Sequence, residues 1–144
     1  MFGIFKKNKQ KDLDKELQSF VMQILQIQYG FASRALAEEG KSLDLSPDPF
    51  VVGYVAGIVD GAFQRANLGP ERERILAASK AIYIEIFGKE GGEAVFNLSI
   101  NGIVNEDKDF LGPYTLAIDD HNKHQQSNLD FPYSLGRHLI SKSK

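Results

Sequence analysis

Three glycines spaced four apart, Gly53, Gly57 and Gly61, punctuate the segment Phe50-Val-Val-Gly-Tyr-Val-Ala-Gly-Ile-Val-Asp-Gly-Ala-Phe63, which otherwise reads as a helix. Each interior glycine costs roughly 0.8–1 kcal/mol against alanine, so three cost about 2–3 kcal/mol. Residues at i, i+4 and i+8 line one ridge of a helix. A ridge without side chains lets another backbone come close, and that contact is the compensation the spacing implies. The other sides carry Val52, Val55, Ile58, Val59 and Phe63, so the helix is apolar nearly all round and belongs at the centre of a domain. Ser46-Pro-Asp-Pro49 signals its start, with Asp48 as cap and Pro49 in first position, and Asn67-Leu-Gly-Pro70 stops it.

The flanking segments read as helices too. Leu13, Leu17, Phe20, Ile24, Ile27 and Phe31 follow 4-3-4-3-4 spacing, an a/d seam that Val21, Leu25, Ala32, Ala35 and Leu36 widen. Asp12 is the expected cap and Gly40 the expected stop, which predicts a helix over 12–38. A third helix is expected over 70–87, ending at Gly88. Two readings compete beyond it. Ala81–Phe87 is rich in β-formers, Phe96–Asn101 alternates with period two, and Asn101-Gly102 suits a hairpin turn. The helical reading aligns Phe96, Ile100, Ile103 and Val104, and it is preferred. Phe110, Tyr114, Ala117, Ile118 and His121 share a face of a further helix, expected to be interrupted near Gly112-Pro113. Residues 121–129 read as an exposed connection, and a last short helix is expected from Phe131-Pro132, burying Leu135, Leu139 and Ile140.

Bulk properties fit one domain of this kind. The chain has 144 residues, 42% hydrophobic and 25% charged, which are globular values. No cysteine is present, so disulfides, thiolate metal sites and thiol nucleophiles are excluded, consistent with a reducing cytoplasm. The charge is unevenly placed. Residues 1–11 carry Lys6, Lys7, Lys9 and Lys11 with no acid; a total of −2 with +4 in this leader leaves −6 for the remainder. The leader is expected to be flexible. Phe2, Ile4 and Phe5 followed by Lys6, Lys7 and Lys9 make it a candidate for weak contact with an anionic membrane surface. The longest apolar run is too short to span a bilayer, and the order of the leader is not that of a signal peptide.

Three constellations bear on chemistry. Asp119, Asp120, His121 and His124 offer helical spacings that bring carboxylate and imidazole together, a weak candidate for a divalent metal. Lys123 opposes it, and the helix dipole alone accounts for histidines near a C-terminus. Asp60, the one charge in the apolar helix, must be paired, hydrogen-bonded or neutral. It is a candidate base or ligand anchor beside open space above Gly57 and Gly61, or else the partner of Arg34, Arg65 or Arg74. Arg137, His138, Lys142 and Lys144 form a small basic end that reads as solvated. Phosphate-cradling loops, the nucleophile elbow and a basic stripe interleaved with aromatics are missing, so the expectation includes no nucleic-acid partner.

These observations predict a mainly α single domain over 12–144, a bundle of five to six helices around the glycine-ridged one; the minor alternative is α+β with a hairpin near 81–104. The expected role is a non-catalytic cytoplasmic interaction or scaffold module, self-associating or bound to another protein, with no cofactor. The alternative is a small ligand-binding or metal-dependent enzyme using Asp60 and the 119–124 cluster, and a further one is a membrane adaptor held by the leader.

Overall fold

Helix-forming sequence without a proline carries the first helix much further than its caps suggest. In the computed structural model, α1 spans Phe2–Glu38, followed by α2 (Pro49–Arg65), α3 (Arg72–Val104), α4 (Lys108–Gln126) and α5 (Ser134–Ser143). The structure describes all residues but Met1, Leu45, Pro47, 66–71, 127–133 and Lys144; for 2–14, Arg65, 72–75 and 123–126 it describes the backbone alone. Among the described residues there is no strand. The chain is mainly α.

α1 starts within the basic leader, well ahead of Asp12. Lysine, glutamine and leucine are good helix formers, and they outweigh one potential cap. Its end is a Schellman turn: Gly40 takes φ +70, its N–H donates to Ala37 O at 3.0 Å, and Lys41 N–H donates to Leu36 O at 2.8 Å. Val21, Ile24, Leu25, Gln28, Ala32 and Leu36 turn inward from α1.

α2 opens on Asp48, whose Oδ1 accepts the Val51 N–H at 2.9 Å. Every residue from Val51 to Val59 is buried, and α2 touches each of the other four helices, α4 most extensively. A methyl group at Gly53 would lie 2.3 Å from the Phe110 carbonyl oxygen. One at Gly57 would lie 2.3 Å from Tyr114 O and 2.8 Å from Ala117 Cβ. Gly61 differs, because its Cβ would meet the His121 ring at 3.5 Å, an ordinary contact. α4 also runs through Pro113, whose ring is buried beside Gly53. The expected interruption does not form: the carbonyl that proline leaves unbonded belongs to Asp109, in the exposed first turn.

α3 corrects the hairpin alternative. Residues 81–104 are helical, but the chain does reverse, at Gly88 (φ 82, ψ 173) rather than at Asn101-Gly102. The two arms lie side by side: Gly92 sits against Ile84, and the Lys80 ammonium lies 5.5 Å from the Phe96 ring centre. This is a hairpin of helices. Its second arm buries Gly92, Val95, Ser99 and Gly102, a 3-4-3 spacing made mostly of small residues.

Candidate functional site

Three groups of polar side chains among the described residues join different elements and bear on function. The deepest is a chain of hydrogen bonds across four helices. Gly136 N–H on α5 donates to Gln28 Oε1 at 3.1 Å, and Gln28 Nε2 on α1 donates to the Tyr54 hydroxyl at 3.1 Å. That hydroxyl, on α2, donates to Asp120 Oδ2 on α4 at 2.9 Å. All four residues are buried. Burial pushes the Tyr54 hydroxyl well above the usual tyrosine range, with the Asp120 charge adding and Gln28 opposing, so it stays a donor at neutral pH. Buried polar groups need such partners, because each one left unmade costs about 1–3 kcal/mol.

The second group is Asp60, half-buried, whose Oδ2 accepts the Tyr114 hydroxyl of α4. Burial pushes its carboxyl above the ordinary value, and a hydrogen bond from Gln64 opposes that. The open space expected above Gly57 is filled by the Tyr114 carbonyl and Ala117, because the glycine brings α4 in contact instead of leaving a pocket. Of the arginines considered as partners, Arg34 is exposed, and the side chains of Arg65 and Arg74 lie outside the described residues.

The third group joins the basic end to the start of α2. His138 Nε2 lies 2.8 Å and Lys142 Nζ 3.2 Å from Asp48 Oδ2. The His138 ring stacks on Phe50 with centroids 4.1 Å apart, and Lys142 also donates to the Ser46 carbonyl. Asp44 N–H donates to Ser143 Oγ at 3.0 Å. Burial raises the Asp48 carboxyl, but hydrogen bonds from His138, Val51 N–H and Lys142 outweigh it and hold it below its ordinary value. Burial, with the Asp48 charge adding, pushes the nearby Tyr29 hydroxyl up to about 12. The basic end is therefore engaged at His138 and Lys142, while Arg137 remains exposed.

The metal candidates are divided. Asp119 is exposed, Asp120 points to Tyr54, and His121 is buried, edge-on to Phe20 with centroids 5.8 Å apart. Successive helical residues diverge by about 100°, which sends Asp119 and Asp120 to different surroundings. The His124 side chain lies outside the described residues, as do those of Phe2, Ile4, Phe5, Lys6, Lys7 and Lys9. Among the described residues, no three His, Asp or Glu side chains gather as a metal ion would need. No described helix is long and apolar enough to cross a membrane.

Among the described residues, exposed apolar side chains other than Leu116 of α4 gather in two places. Ile27 is 48% exposed and Phe31 37%, where the α1 seam leaves the core. Leu98, Ile103 and Val104 are exposed on the second arm of α3, near Glu106, Asp107 and Asp109 in sequence. A cleft of about 380 Å³ also opens between Met22, Leu25 and Tyr29 of α1, Leu43 and Ile86.

Gln28, Tyr54 and the Asp48–His138–Lys142 group were not singled out together from sequence. Gln28 left a faint mark, as the one polar residue in the 4-3-4 series Val21, Leu25, Gln28, Ala32. No family model, curated protein or solved structure matches the chain.

Proposed function

We propose that the chain is a non-catalytic interaction module that self-associates through the open end of the α1 seam, on a bundle built around α2. The observation that carries this reading is the exposure of Ile27 and Phe31, which continue the spacing of the buried Ile24 out of the core. Covering such side chains in a contact stabilises it by about 25 cal/mol per Å² of apolar surface removed from water. The polar groups support the same reading, since Tyr54, Asp120, Asp60 and Asp48 are each engaged with another helix or connection of the same chain. A general base needs hydrogen-bond reach to a substrate proton. Asp60 instead accepts from Tyr114.

The test is the solution mass by analytical ultracentrifugation over a wide concentration range. A dimer is expected, and Ile27→Glu should make it a monomer with helix content unchanged by circular dichroism. A monomer at every concentration, or a dimer indifferent to that substitution, overturns the reading.

A further inference from the structure

α5 docks as a ligand would. Its contacts are with α1, the α1–α2 connection and the first turn of α2, and each is specific. Leu135, Gly136 and Leu139 are buried. Gly136 is needed where α5 crosses α1: a Cβ there would lie 2.9 Å from Phe31 Cδ1 and 3.2 Å from the Gln28 carbonyl oxygen. Its N–H reaches Gln28 Oε1. Two and six residues further on, His138 lies on Phe50 and Asp48, and Lys142 meets Asp48 and Ser46. Ser143 Oγ then receives the Asp44 N–H. Asp48 on the receiving side pairs with both bases of the helix, and the Asp44 charge lies within electrostatic reach of Lys142. The groove thus reads a helix with the pattern Gly-x-His-x-x-x-Lys-Ser, and α5 supplies it.

We propose that this groove also accepts α5 from a second copy of the chain, so that two molecules associate by exchanging their C-terminal helices. Three observations favour this occupant. A helix of ten residues is marginal alone, so α5 depends on docking for its structure. Its extensive packing is with α1, and among the described residues its hydrogen bonds go to α1, the α1–α2 connection and the start of α2. The receiving acids match its bases. Contacts made within one chain and between chains are identical in kind, so the balance depends on concentration against that set by the tether. Short tethers give effective concentrations of about 1 mM. The contact shares the Phe31 ring with the seam surface but not Ile27, so it is tested with Ile27 disabled.

The experiment mixes two variants, both carrying Ile27→Glu so that the seam surface plays no part. Gly136→Leu has a helix that cannot dock but keeps its groove; Asp48→Lys keeps its helix but has a groove that repels it. Each alone should sediment as a monomer. A 1:1 mixture, taken up to about 1 mM, should yield a heterodimer, because one productive helix–groove pair is restored. If circular dichroism shows either variant unfolded, the milder pair His138→Ala with Lys142→Ala, against Asp48→Asn, replaces it. Folded variants that remain separate when mixed overturn the proposal, and so does a heterodimer that survives with both defects placed in one chain.

Discussion

Glycine carries different meanings at three positions that look equivalent in sequence. Gly53 and Gly57 lie where a Cβ would strike a backbone carbonyl, which cannot turn aside as a side chain can. Gly57→Ala should therefore destabilise the protein by about 1–3 kcal/mol, the usual cost of overpacking. Gly61→Ala should be neutral or stabilise by up to about 1 kcal/mol, since it gains helix propensity where there is room. Urea denaturation of the two variants decides this, and equal effects would sink the distinction. The spacing told that a close neighbour was due; it had no means of telling that the third site faces the His121 ring. Two carboxyls at this scale have opposite signs. Asp48 is held below its ordinary value, so its contribution is present above the unfolded value near 4 and fades as pH falls through the folded one. Asp60 is raised, so stability is fully present below about 4 and is lost as pH rises through its folded value. Asp60→Asn keeps an acceptor for Tyr114 and should raise Tm at pH 7, with the gain gone at about pH 3. Asp48→Asn should lower Tm at pH 7, with the loss shrinking below about pH 4. Thermal melts across this range read both, and parallel curves for variant and parent would contradict the assignment.

α3 shows why elements were easier to foresee than their outlines. That 81–104 is helical follows from the burial of Gly92, Val95, Ser99 and Gly102, but small residues leave little trace in a hydrophobic pattern. The alternation of Phe96, Leu98 and Ile100 drew attention to side chains of which Leu98 is 54% exposed. Gly88 was legible as a stop; that the arms fold together there is a matter of Gly92 admitting Ile84, visible only in three dimensions. The connection to α4 holds a strained feature. Glu106 takes φ 50, the left-handed position of a Schellman turn in which Asp107 N–H donates to Gly102 O at 3.0 Å. A side chain in that conformation costs roughly 1–2 kcal/mol, part of which glycine's greater freedom in the unfolded chain takes back. Glu106→Gly should stabilise by about 0.5–1 kcal/mol in urea denaturation. A destabilised variant would mean that the Glu106 side chain makes a contact outweighing its backbone strain.

At the scale of the molecule, the chain from Gly136 through Gln28 and Tyr54 to Asp120 is what relates α5, α1, α2 and α4 to one another. Apolar packing attracts helices without fixing their rotation tightly, whereas a buried hydrogen bond is satisfied over a narrow range of distance and angle. The members lie 108, 26 and 66 residues apart, so no local pattern announces them, and this is why the candidate sites were less legible than the fold. Tyr54 is the joint, donating to one neighbour and accepting from the other. Tyr54→Phe keeps the ring and its packing while leaving the Gln28 amide and the Asp120 carboxylate short of a partner inside the core. Two groups at about 1–3 kcal/mol each, with the charged one at the upper end, predict a loss of about 3–4 kcal/mol. That is a large share of the roughly 5–15 kcal/mol by which a domain is stable. If the hydrogen-bond chain orients the helices, amide exchange should speed up in α1, α2, α4 and α5 together, ahead of global unfolding. A loss below about 1 kcal/mol would show that the neighbours rearrange to satisfy both groups, leaving packing alone to set the arrangement of the bundle.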